Sequence, residues 1–171
     1  MKKLQIYDRE DLLEIEFQDI RKFHGTRAYM AIGVAYRMAE AAFEALYGED
    51  VPERSDISIL AGHGGPGFRD TFEFITRAAT RGEYEVDTAY PMAQYDPYRP
   101  TSYAFVFKRK SGEEVEVSLK KEFLPTVFYE FLKKGREEIF TQEEYEAFEK
   151  MKEQLCMRAL ELPLDELVEV R

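Results

Sequence analysis

Two short stretches carry residue types that could bind a ligand or do chemistry on one. The first is Phe23-His24-Gly25-Thr26-Arg27. It falls where one helix hands over to the next, so the free backbone donors of the second helix's first turn would lie beside His24 and Arg27 and could hold an anion or a metal. The second is Gly62-His63-Gly64-Gly65-Pro66-Gly67-Phe68-Arg69-Asp70. Its four glycines permit close backbone approach, and the helix that follows supplies unsatisfied N–H groups, which is the arrangement an oxyanion needs. Neither Gly-x-x-x-x-Gly-Lys-Ser/Thr nor a Gly-x-Gly-x-x-Gly turn with a downstream acidic partner is present, so a nucleotide fold is not indicated.

The chain has two histidines, and both sit in these Gly-flanked junctions. If the stretches meet in space, two chemistries are open. His24, Arg27, His63, Gly64, Gly65, Gly67, Arg69 and Asp70 would form a pocket for a small anion, motivated by two histidines and two arginines in an acidic chain. Alternatively His24, His63 and Asp70 would ligate a divalent metal, with water completing the shell for Lewis-acid work. Plain structural roles compete with both. His24 could cap the first helix while Arg27 pairs with a carboxylate, and the glycine run could be a tight strand-to-helix turn whose Asp70 serves the helix start.

Other reactive residue types offer less. Cys156 is the sole cysteine, so this chain alone has no intrachain disulfide, zinc ribbon or iron–sulfur ligation. Flanked by Leu155 and Met157, it reads as a small core hydrophobe. The serines lack a nucleophile elbow, so a hydrolase triad is not supported.

The elements that must position these residues follow from periodicity. Leu13, Phe17, Ile20 and Phe23 recur at helical spacing, which predicts an amphipathic helix over 9–23 ended by Gly25. A second helix over 27–47 is apolar on nearly every side and aligns Ala31, Ala35 and Ala39, small residues that would admit another backbone from the same chain or across a two-fold axis. Ile57–Leu60 reads as a strand, leading through the glycine loop into a helix carrying Phe68, Phe72, Ile75 and Ala79. The tract 88–100, with three prolines and three tyrosines, reads as a long extended loop with a functional or contact role.

Segments 103–108 and 114–119 flank Ser111-Gly112 and predict a hairpin. Helices follow after Pro125 and from Thr141, where Thr141 and Glu144 form a capping box, and Pro163 precedes a last short turn. Helices and strands do not alternate strictly, so the expected class is α+β: one helix-rich domain over 1–171 with a small mixed or antiparallel sheet.

Thirty-four acidic against 24 basic residues in a 171-residue chain give a formal charge of -10. That balance argues against phosphate backbones and anionic membranes as partners. The longest uncharged, mostly apolar run, Ala28–Tyr36, is far below the roughly 20 residues of a membrane span. The N-terminus lacks a signal-peptide pattern, which predicts a cytoplasmic protein.

Phe23-His24-Gly25, the Ala-Ile-Gly of 31–33 and Tyr36-Arg37-Met38-Ala39, together with Arg69–Thr76 and Gly82, the Tyr103–Phe107 segment and the tail Leu160–Leu167, resemble the FmdE family, named for a component of formylmethanofuran dehydrogenase, in an order kept from about 15 to 170. The family's first motif is His-Gly-His-x-Cys-Pro-Gly, and a cysteine stands three residues before the Asp of its second region. Here the corresponding stretches read His24-Gly25-Thr26-Arg27-Ala28-Tyr29 and Gly67-Phe68-Arg69-Asp70, so both thiols are missing and only His24, Gly25 and Asp70 carry over. The C-terminal zinc finger of many members has no cysteines here either.

The resemblance implies an α+β core, a homodimer formed through its helices, and a pocket where the two motifs join. Without thiolates, the soft-metal chemistry it would otherwise imply loses its ligands. The expected function is therefore a non-catalytic, accessory binder of a small anion, with a divalent-metal enzyme using His24, His63 and Asp70 as the alternative. A larger oxidoreductase docked on the acidic face is a further expected partner.

Overall fold

The apolar stretch after Tyr29 organises the molecule. The computed structural model describes residues 2–27 and 29–171; Ala28, where the sequence places the first turn of the second helix, lies outside them. Two strands, β1 (Leu4–Asp8) and β2 (Asp11–Ile15), precede the short helix α1 (Phe17–His24) and the long helix α2 (Tyr29–Tyr47). Then come β3 (Ile57–Ala61), α3 (Pro66–Thr76), β4 (Tyr84–Val86), β5 (Ala104–Arg109) and β6 (Glu114–Leu119). The chain closes with α4 (Thr126–Glu137), α5 (Gln142–Glu161), the single turn α6 (Leu164–Leu167) and β7 (Val168–Val170).

Helix α2 is buried from Met30 to Phe43 because every side of it meets another element: α1, α3 and α5 around it, β6 and β7 beneath. Its Gly33 lies where α5 crosses. A Cβ there would stand 2.8 Å from the Cys156 sulfur and 3.2 Å from its carbonyl oxygen. Ala35 and Ala39 are wholly buried within the single chain. The small residues of α2 thus serve close packing inside the chain, where the sequence left an intrachain neighbour and a second copy equally open. Cys156 is a core residue, and burial pushes its thiol pKa up to about 12.

The larger sheet runs β4-β3-β5-β6-β7, parallel between β3 and β4 and antiparallel elsewhere, so the fold is α+β with a mixed sheet. Ile57, Ile59 and Ala61 of β3 and Phe105 and Phe107 of β5 face the helices, where Phe72 packs edge-on against both phenylalanines. Among the described residues no helix is long and apolar enough to cross a membrane.

One sequence expectation is corrected at the N-terminus. Residues 9–15 are not helical: Asp11–Ile15 pairs antiparallel with Leu4–Asp8 across the turn at Arg9 and Glu10. Arg9 adopts a φ of 59° in that turn. The hairpin was hidden because this loop carries neither Gly nor Asn, the usual left-handed turn residues. The spacing from Leu13 to Phe17 imitates a helix across a strand end. Helix α1 starts only after Glu16, whose N–H donates to the Asp19 carboxylate at 2.9 Å.

Candidate functional site

The two glycine-flanked histidines have different surroundings. At the first junction α1 stops at Gly25, whose φ of 97° and ψ of −160° belong to glycine. His24, the last helical residue, places Nδ1 2.8 Å from Oδ2 of Asp70. Asp70 lies one turn inside α3, so it does not serve the helix start; Gly65 holds the N-cap position and Pro66 opens the helix. The contact ties α1 to α3, and Phe23 adds an aromatic contact with Phe74 at 5.4 Å between ring centres. His24 is nearly covered while Asp70 remains part-exposed. Arg27 and Arg69 are both exposed.

At the second junction β3 runs into the glycine loop. Gly62 is held flat against the start of β5: its N–H donates to the Ala104 carbonyl and its own carbonyl accepts from the Ser102 N–H, both at 2.9 Å. A Cβ on Gly62 would lie 2.5 Å from the Ser102 Cβ and 2.7 Å from the Ala104 carbonyl oxygen. The His63 ring folds back over the loop, where Nδ1 accepts the Gly65 N–H at 2.8 Å. A Cβ on Gly65 would come within 2.7 Å of that ring. The same ring packs on Phe68 and Tyr103, at 4.8 and 5.0 Å between centres.

This geometry sets the protonation of His63. Burial pushes its pKa down to about 4, with the nearby Arg99 cation acting in the same direction. The imidazole is therefore neutral at physiological pH. Because Nδ1 is the acceptor, the single proton sits on Nε2, which has no hydrogen-bond partner among the described residues.

His63 forms part of the wall of a cavity of about 480 Å³. Its lining includes the first turn of α2 (Met30, Ala31) and the loop Gly64–Gly67 with Phe68. Thr88, Arg99, Pro100 and Thr101 of the long loop and Tyr103 also line it. Phe128 and Leu132 of α4 and Phe148 and Lys152 of α5 complete the wall. The volume suits a small organic molecule.

The polar inventory of the cavity is one-sided. Its lining includes Arg99, Lys152 and His63 but no aspartate or glutamate, in a chain with 34 acidic residues. The first intrahelical bond at the start of α3 runs from the Arg69 N–H to the Gly65 carbonyl, so the N–H groups of Gly67 and Phe68 precede the helical ladder. Arg99 donates to the fully covered Asp96 carboxylate at 3.1 Å. Lys152 pairs with Glu149 and holds its ammonium 4.7 Å above the Phe148 ring. Tyr103 is completely buried, and its hydroxyl has no hydrogen-bond partner among the described residues.

Of the residues expected from sequence, His63, Gly64, Gly65 and Gly67 line the cavity, His24 and Asp70 pair with each other, and Arg27 and Arg69 belong to neither group. The expected metal set is not assembled. Among the described residues no three His, Cys, Asp or Glu side chains are grouped so as to hold a metal ion. His63 turns into its own loop and aromatic neighbours, while the other two close on each other.

Sequence reasoning missed Arg99, Thr101, Tyr103 and the α4–α5 wall. The proline- and tyrosine-rich tract flagged the loop as functional without identifying which side chain mattered. Phe128, Leu132, Phe148 and Lys152 carry no signal beyond helical periodicity. No protein-family model matches the chain, and no curated protein matches it at a significant level.

Proposed function

We propose that this is a small-molecule-binding protein, accessory rather than catalytic, whose cavity takes an anionic ligand with an apolar body. The observation that carries the reading is the absence of any carboxylate from the lining, beside two cations, an uncharged His63 N–H donor and the start of α3. Each of these favours an electron-rich, negatively charged group. Met30, Phe68, Phe128, Leu132 and Phe148 offer the apolar surface that would hold the rest of the molecule. The resemblance to the FmdE family stays part of the proposal; His24 and Asp70, the two side chains that carry over from its motifs, touch each other.

Titration with anilinonaphthalene sulfonate, an aromatic anion that fluoresces when bound, tests the reading. Saturable one-to-one binding is expected. Leu132→Trp, which fills the cavity, should abolish it, and Lys152→Gln should weaken it about tenfold, the size of one charge-assisted contact. Arg27→Ala and Arg69→Ala should leave it unchanged. Binding that ignores both cavity variants would overturn the assignment.

A further inference from the structure

The cavity's charge and shape restrict its ligand further, and this step rests on the binding reading above. The positive features are already partly compensated: Arg99 is paired with Asp96 and Lys152 with Glu149. The start of α3 contributes roughly half an elementary charge. With both side-chain cations already paired, the remaining positive excess is nearer half a charge than two, so a monoanion matches it more closely than a dianion. Two uncharged donor side chains pack against each other in the lining: His63, whose Nε2–H has no partner among the described residues, and the fully buried Tyr103, whose hydroxyl has none either. Such groups suit the oxygens of a carboxylate, which can accept several neutral N–H or O–H donors without further countercharge.

The apolar part of the wall is aromatic more than aliphatic. Phe68, Tyr103, Phe128 and Phe148 all contribute rings, and the Lys152 ammonium already lies over one of them. Aromatic walls favour flat partners that stack or meet them edge-on. We propose that the ligand class is a planar aromatic monocarboxylate, its carboxylate at the loop Gly64–Phe68 between His63 and Arg99 and its ring system beneath α4 and α5.

Isothermal titration with four probes on the intact protein decides the matter. Naphthoate carries both features; naphthyl phosphate keeps the ring but carries up to two charges; naphthalenemethanol keeps the ring and lacks the charge; decanoate keeps the charge and lacks the ring. Naphthoate is expected to bind one-to-one and at least tenfold more tightly than each of the other three. His63→Phe should cost naphthoate about tenfold, and Lys152→Gln, which removes a cation from the α5 side of the lining, provides a second variant with the same expected direction should the first fail to fold. If decanoate or naphthyl phosphate equals naphthoate, the ligand class falls while the anion-binding cavity stands. If naphthalenemethanol equals it, the charge requirement falls. If none of the four binds and anilinonaphthalene sulfonate does not bind either, both proposals are overturned together.

Discussion

His24 and His63 have the same local sequence signature, a histidine followed directly by glycine at the border of a helix, yet their hydrogen bonding differs. His24 is a closed contact: its Nδ1 meets Asp70 and the pair joins α1 to α3. His63 is an open one, because its Nδ1 is used up inside the loop by the Gly65 N–H and its Nε2 is left on a cavity wall. A donor left free on a cavity wall is available to an acceptor that enters the cavity, whereas one already paired inside the fold is not. The difference between the two junctions is therefore one of partners, not of residue type.

The glycines at the two junctions give the largest effect. Gly62→Ala would drive a Cβ into Ser102 and the Ala104 carbonyl, backbone that cannot yield without breaking the start of β5. We expect a loss of about 3 kcal/mol in urea unfolding, at the upper end of overpacking. Gly25→Ala has open space around its Cβ and is strained only by its φ of 97°. About 1–2 kcal/mol is expected there. Equal costs would show that close approach is not what distinguishes the cavity junction.

The protonation of His63 comes next. Its folded pKa is about 4 against 6.5 for the free side chain. Between those values the unfolded chain binds more protons, so this residue's contribution makes stability fall as the pH drops from about 7 towards 4 and level off below that. The full swing is at most about 3 kcal/mol and is reduced by the openness of the cavity to water. Subtracting the pH profile of His63→Phe from that of the wild type isolates the slope. A flat difference between pH 4 and 7 would mean that His63 is not held neutral by its surroundings.

What the sequence revealed of this arrangement depended on whether a local rule was enough. Helices α2 and α5 were legible because their apolar residues repeat at helical spacing, and the Thr141–Glu144 box marked the start of α5 correctly, with the Thr141 hydroxyl accepting the Glu144 N–H at 3.1 Å. Strand β2 was illegible because its pairing with β1 is a tertiary preference that overrides a helical spacing. At the site, glycine spacing exposed the loop Gly64–Gly67, but nothing local links Arg99 to His63, which are 36 positions apart in the chain and meet only after β5 has formed beside β3. The pairing of His24 with Asp70, 46 positions apart, is likewise a product of α1 packing on α3.

That pairing supplies a smaller effect and separates the two junctions functionally. Asp70→Asn replaces a carboxylate acceptor by an amide and should cost about 1.5 kcal/mol, the low end for a hydrogen bond to a charged group because Asp70 is part-exposed. His24→Ala should cost a similar amount, and the double variant should cost less than the sum because the two act as one contact. Anilinonaphthalene sulfonate affinity should change by less than about twofold in all three. Loss of probe binding with Asp70→Asn would join the closed contact to the cavity and remove the distinction.

The smallest effect tests whether the α4–α5 wall is a rigid part of the site. Thr141 accepts the Glu144 N–H, and Glu144 in turn pairs with Lys134 of α4, so this cap both begins α5 and braces it against its neighbour. Thr141→Ala should cost about 1 kcal/mol through the lost cap. Lys134→Ala, at an exposed ion pair, should cost less than that. Both positions lie outside the cavity lining, yet Phe128, Leu132, Phe148 and Lys152 depend on the two helices they brace. If the wall is held chiefly by its own packing, through the stacked Phe131 and Phe148 rings 5.1 Å apart, naphthoate affinity will be unchanged in Thr141→Ala. A drop matching the stability loss would show instead that the cap and its ion pair set the shape of the aromatic wall, and that the open junction depends on a contact far from either histidine.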